Sequence, residues 1–165
     1  MIIIERNTDE YFTSIRTIAN EVWPATYGSI LSKAQFDFMM EMMYSISSLQ
    51  LQESAKKHHF ILAIEEGIPL GFASYEFNYN GTQQTKIHKL YVLTSQQGKG
   101  IGKKLVEFIE NEAKQKHQES VGLNVNRFND AKAFYEKLRF TIQHEEDIDI
   151  GNGYLMEDYV MAKQL

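Results

Sequence analysis

Residues 86–105 read KIHKLYVLTSQQGKGIGKKL. A branched and aromatic stretch, Thr85 to Leu93, reads as a strand. It enters a loop, Thr94 to Lys99, and a helix is expected from about Gly100 to Lys116. Glycines stand at 98, 100 and 102, where the backbone must turn sharply or approach a ligand closely. The first-turn amides of such a helix have no intrahelical acceptor. With the helix dipole they form an anion site. Lys99, Lys103 and Lys104 add positive charge to a chain whose net charge is −5. A phosphate or pyrophosphate is the expected ligand of this loop.

Two familiar phosphate loops do not fit. A Walker loop needs GxxxxGK followed by Ser or Thr, and here Gly102-Lys103 is followed by Lys104, with Gln97 at the first glycine position. A dinucleotide fingerprint needs a third glycine where Lys103 stands, and a strand that opens a βαβ unit.

Outward from this loop the pattern predicts a strand at Ile2–Glu5 and a helix from Thr8 to Trp23, stopped by Pro24. A second helix begins at Ser32 with Gln35 as its capping-box partner, and its stripe is Phe36, Met39, Met40 and Met43. A third helical stretch covers Ser48 to Lys57. Strands follow at Phe60–Ile64 and Leu70–Tyr79, and Asn80-Gly81 signals a hairpin. Beyond the glycine loop come a strand at Val121–Val125, a helix at Asp130–Leu138, and strands at Phe140–Asp149 and Tyr154–Lys163 around Gly151-Asn152-Gly153. The order is that of an α/β domain: a mixed sheet with helices on both faces.

The 165 residues are 43% hydrophobic and 24% charged, which suits one globular domain over 1–165. There is no cysteine, so disulfides, thiolate metal sites and a cysteine nucleophile are excluded. The acidic balance, with a pI near 5.5, gives no basic footprint for nucleic acid. No apolar run nears the ~20 residues that cross a bilayer. MIIIERN is too short for a signal peptide, and the expected location is cytoplasmic. No histidine–carboxylate spacing suggests a metal, and His58-His59 reads as a solvated helix end.

A second segment, residues 121–140, reads VGLNVNRFNDAKAFYEKLRF. Together the two segments resemble the GNAT superfamily of acyl-CoA N-acyltransferases. Its (Q/R)-x-x-G-x-(G/A) motif is matched by Gln97, Gly100 and Gly102. Its N-x-x-A-x-x-F-Y-x-K-x-G-F motif is approximated by Asn129 to Phe140, with the asparagine one residue nearer the tyrosine and Arg139 where glycine is usual. That glycine normally takes a left-handed turn, so arginine there is expected to cost about 1 kcal/mol. The resemblance is good over about 60–163 and weak over 1–59.

The resemblance implies a GNAT fold of about seven strands, mostly antiparallel, with splayed fourth and fifth strands. It implies acetyl-CoA as cosubstrate and no metal. The pyrophosphate would lie on the amides of Gln97, Gly98, Lys99, Gly100, Ile101, Gly102 and Lys103. The pantetheine and acetyl groups would follow Tyr91, Val92 and Leu93, with Asn124, Asn129, Ala131 and Phe134 on the other wall. Tyr135 would protonate the leaving thiolate. A phenol with a pKa of about 10 is a suitable acid for it. His88 stands where some relatives carry a glutamate base, and its ordinary pKa of about 6.5 suits that work.

The acceptor would be a primary amine of a small molecule or peptide. Trp23 and Tyr27 are the expected pocket residues. Glu145, Glu146, Asp147, Asp149, Glu157 and Asp158 form either a solvated edge or an anionic rim for a cationic amine. WPATY and NGYLMEDYVM resemble bacterial relatives that acetylate polyamines. The final hairpin offers an edge for a second copy. Two other readings stay open: a non-catalytic acyl-CoA-binding sensor on the same scaffold, and a nucleotide-phosphate binder.

Overall fold

The computed structural model describes residues 1–165. Its elements are β1 (Ile2–Arg6), α1 (Phe12–Tyr27), α2 (Lys33–Tyr44), α3 (Ile46–Ser54), β2 (His59–Glu65), β3 (Ile68–Glu76), β4 (Gln84–Val92), α4 (Ile101–Gln115), β5 (Ser120–Asn126), α5 (Ala131–Lys137), β6 (Thr141–Gly151) and β7 (Tyr154–Gln164). All seven strands form one sheet in the order β1-β2-β3-β4-β5-β7-β6. The β1–β2, β2–β3, β5–β7 and β6–β7 ladders are antiparallel, and β4–β5 is parallel. The sheet is therefore mixed and mostly antiparallel, as the sequence pattern predicts. The β4–β5 ladder joins Gln84–Ile87 to Ser120–Leu123, while β4 continues to Val92 and β5 to Asn126.

The chain divides into two compact units, Met1–Glu76 with Lys89–Ile109, and Phe77–His88 with Glu110–Leu165. In the first unit, Phe60 to Ile64 of β2 are buried without alternation. Both faces of that strand are covered, which is why it reads as an unbroken apolar run. Gly71 of β3 lies so close to β4 that a Cβ there would sit 2.8 Å from the Tyr91 carbonyl oxygen. In the second unit β5 is buried along nearly its whole length, whereas β6, at the end of the sheet order, is largely exposed.

Three local expectations are corrected. Pro24 does not stop the first helix, which runs on to Tyr27 with the proline inside it. Proline removes one helical N–H and crowds the preceding turn. Here Pro24 lies in the last turn, and its own carbonyl still accepts the Gly28 amide at 3.0 Å. The third helix begins at Ile46 rather than Ser48, because Ser45 caps it by accepting the Ser48 amide. Asn80-Gly81 does not form a two-residue hairpin. Tyr79–Gly81 make a 3-10 turn, and Asn78, Asn80 and Gly81 all have positive φ. The loop is clamped by Gln118, which accepts from the Asn78 amide at 2.9 Å and donates to its side-chain oxygen at 2.8 Å. That long-range clamp overrides the local turn preference. The Ser32 cap is as expected, accepting the Gln35 amide at 3.1 Å.

Candidate active site

In the first unit the glycine loop leaves β4 through a 3-10 turn at Thr94–Gln96. Gln97 anchors it by donating from Nε2 to the Val92 carbonyl at 3.2 Å. Gly98 and Gly100 have φ of +80° and +79°, a conformation that side chains resist. The first helical bond of α4 runs from the Lys104 amide to the Gly100 carbonyl. None of the amides from Gly98 to Lys103 finds a backbone acceptor. Six consecutive donors therefore stand at the N-terminus of a 15-residue helix. Gln97 to Gly100 are exposed and Ile101 is buried beneath them. Lys99 reaches Gln96 at 3.0 Å and Lys103 reaches Glu107 at 3.8 Å. Unpaired amides, helix dipole and lysines together fit a diphosphate.

Of the three residues expected along the acyl arm, Tyr91 and Val92 end β4, and Leu93, just after it, is partly committed. Its amide donates to the Leu70 carbonyl of β3 at 2.9 Å. Strand N–H groups alternate between edges. The Val92 amide therefore points away from β3, whereas the Leu93 amide is taken up by it. Val92 is buried and Tyr91 half-buried.

The expected pocket residues Trp23 and Tyr27 come together with Tyr91. Trp23 lies 4.6 Å from the Tyr27 ring and 6.1 Å from the Tyr91 ring, and the two tyrosine hydroxyls are 3.3 Å apart. Phe36, Tyr44 and Phe72 complete the cluster. Trp23 is only 1% exposed and Tyr27 5%. In this conformation both lie below the surface, packed by aromatic neighbours.

Beside that cluster is a group the sequence reading missed. Lys89 of β4 is buried, with Nζ bonded to Gln52 Oε1 and lying over the rings of Tyr44 at 5.5 Å and Phe60 at 5.8 Å. Burial, helped by the charge of Lys56, lowers its pKa to about 7. Alternation along β4 put Lys89 on the Tyr91 side, but only the packing of α2 and α3 shows that this side is closed. His58 is corrected too. Its side chain is 11% exposed, and burial and the Lys89 charge lower its pKa to about 4. It is therefore neutral at pH 7, and its 3.7 Å approach to Glu76 is not a salt bridge there.

In the second unit Tyr135 is the buried residue of α5, 7% exposed. Its ring meets Phe134 at 5.0 Å and Phe140 at 5.8 Å, both edge to face. Asn129 accepts the Ala131 amide on Oδ1 at 2.9 Å, fixing the start of α5 by an Asx turn. Arg139 has φ +74°, the left-handed conformation expected where the motif has glycine. His88 is half-buried against Tyr79, ring centroids 5.7 Å apart.

Asn124 of β5 is the centre of a polar row. Its Oδ1 accepts from Lys86 Nζ. Its Nδ2 donates to Asp158 Oδ2 at 3.2 Å and approaches Glu146 Oε2 at 3.4 Å. Asp158 is 4% exposed, so it belongs to neither a solvated edge nor an exposed rim. Its acidity is weakened mainly by burial. Only pairing in the sheet reveals this, since the carboxylates of EDID and MEDY look alike in the sequence.

The fold and the glycine loop at the start of α4 are those of one class, the acyl-CoA-dependent N-acetyltransferases. The family model for the acetyltransferase (GNAT) family matches residues 12–140, and the chain belongs to that family. Among solved structures it is similar to the PaiA N-acetyltransferase of Thermoplasma acidophilum in complex with coenzyme A. Identity is 25%, coverage is 100% of this chain and 99% of that one, and the TM-score is 0.83. A GCN5-related N-acetyltransferase of Rhodopseudomonas palustris has a TM-score of 0.83 at 18% identity, over 99% and 95% of the two chains. The ribosomal-protein-S18-alanine N-acetyltransferase of Escherichia coli has 0.73 at 16%, over 99% and 94%. These last two share the fold. No curated protein matches by sequence. No helix is long and apolar enough to cross a membrane.

Proposed function

We propose that this chain, as a single acetyltransferase domain, transfers an acetyl group from acetyl-CoA to the primary amine of a small molecule. The six amides from Gly98 to Lys103 without a backbone acceptor carry the reading, because together they form a donor array suited to an anion such as the coenzyme diphosphate. The likeness to a coenzyme A complex at 25% identity supports the same ligand.

Each step then has a residue. The acetyl oxygen accepts the Val92 N–H, which stabilises charge as the amine attacks. Asn124, Asn129, Ala131 and Phe134 border the coenzyme arm. His88 takes a proton from the acceptor ammonium, directly or through water, because only a neutral amine has a lone pair. Tyr135 gives its proton to the departing thiolate. Tyr27 and Tyr91 form the floor of the acceptor pocket with Trp23 behind them. A polyamine is the acceptor we favour, for the negative charge carried by β6 and β7. The largely exposed β6 is where a second copy would pair.

Calorimetric titration with coenzyme A, followed by thiol release from acetyl-CoA over a panel of polyamines, amino acids, aminoglycosides and peptides, tests this. Micromolar binding and turnover of at least one amine are expected. Binding without any turnover would favour an acyl-CoA sensor. No heat with coenzyme A, together with thermal protection by ATP, would favour a nucleotide binder.

A further inference from the structure

The β6–β7 hairpin places like charges opposite each other twice. Asp147 faces Glu157, and Glu146 faces Asp158. Opposed carboxylates repel, and a cation beside the pair relieves that repulsion. Alternation puts Glu145, Asp147 and Glu157 on one face and Glu146 and Asp158 on the other.

The first face supplies its own cation. Arg127 lies 2.8 Å from Asp147 and 3.8 Å from both Glu145 and Glu157. Helices α4 and α5 meet this face, through Glu110 on Lys163 and Lys132 over Tyr159. The second face has no such arginine. Asn124 stands between Glu146 and Asp158, and Lys86 binds the far end of Asn124 rather than either carboxylate. Lys86 and Arg127 both act on Asp158 through space, but neither is hydrogen-bonded to its carboxylate.

Asp158 makes this gap specific. One of its oxygens accepts from Asn124, and the other, Oδ1, is buried without a hydrogen-bond partner. A buried carboxylate oxygen left unpaired is costly, so the fold retains it against a strong penalty. The row also begins at the residue after Leu123, the last of β5 laddered to β4.

The geometry points to a cation subsite at Asp158 and Glu146 that binds an ammonium group of the acceptor. Asn124 orients Asp158, and Glu146 supplies the outer carboxylate. An ammonium fits better than a metal ion, because two carboxylates are too few oxygen ligands for a hard divalent cation, and Asn124 Oδ1 is already taken by Lys86. Acceptors with a second ammonium are therefore selected over monoamines. This rests on the proposed amine acetylation and names the residues that set its acceptor class.

The test compares 1,4-diaminobutane with butylamine, in turnover with acetyl-CoA and in calorimetry with coenzyme A present. In the wild type the diamine is expected to have at least a tenfold lower KM. Asp158→Asn should raise the diamine KM tenfold or more and bring the ratio of diamine to butylamine KM toward one. Glu146→Gln, on an exposed strand position, should raise it severalfold and keeps the test open if D158N folds poorly. Equal KM values for the two amines, or variants that leave the diamine unaffected, would overturn the subsite. So would magnesium chloride displacing the diamine. If neither amine is acetylated but diamine heat is lost in D158N, the subsite stands and the acetylation of amines fails.

Discussion

The Phe140 amide donates to the Tyr135 carbonyl at 3.1 Å, and the two rings meet edge to face at 5.8 Å. With the Arg139 amide on the Glu136 carbonyl at 3.0 Å, this is a Schellman ending, in which the residue between must be left-handed. That residue is Arg139, at φ +74°. Arg139→Gly is expected to stabilise the protein by about 1 kcal/mol, less the entropy that glycine adds to the unfolded chain. A rise in the denaturant midpoint without change in slope is the readout. No rise would mean that the arginine side chain compensates for the strain.

The same ending holds Tyr135 in place, so its hydroxyl can be removed without disturbing the backbone. Tyr135→Phe should bind coenzyme A within about twofold of wild type and turn over roughly a hundredfold more slowly. Single-turnover rates beside calorimetry separate the two. Unchanged turnover removes Tyr135 from the chemistry.

Lys89 makes stability depend on pH. Its folded pKa, about 7, is below the unfolded value, so between about pH 7 and 10 the unfolded chain holds a proton that the native state lacks. Stability therefore rises with pH in that window, by at most roughly 1.4 kcal/mol per unit. Below pH 7 both states are protonated and the burial penalty is complete. Urea unfolding at pH 7.5, 8.5 and 9.5 should show this slope in wild type and lose it in Lys89→Met. The slope is the test, because the substitution also strips Gln52 Oε1 of its donor.

His58 acts with the same sign lower down. Its folded pKa near 4 means that stability falls as pH drops from about 6.5 toward 4. His58→Gln should flatten that limb of the unfolding curve and leave the limb above pH 7 as it was.

Two strand glycines should behave differently. A Cβ at Gly71 meets backbone, the Tyr91 carbonyl at 2.8 Å and the Val92 Cα at 3.2 Å. Gly71→Ala should cost about 2 kcal/mol or more, since β3 and β4 would have to separate. At Gly122 the new methyl meets the Gln84 side-chain amide at 2.6 Å, which can swing away at the cost of its bond to Ser120 Oγ. Gly122→Ala should cost less than half as much. Equal losses of melting temperature would contradict the distinction.

The sequence alone determined the element order and the glycine loop, which follow from short-range rules: apolar period, helix capping and the φ that glycine tolerates. The left-handed turn at Arg139 follows only from the resemblance to the family motif, since arginine itself resists that φ. Local pattern did not determine what lies against what. The Gln118 clamp on the 78–81 turn, the burial of Lys89 and the open oxygen of Asp158 all depend on residues distant in the chain. A lysine or aspartate has the same letter on a wet face and a closed one. Only the docking of helices on strands, and of β6 and β7 on β5, decides which face is dry and which charge is left without a bonded cation.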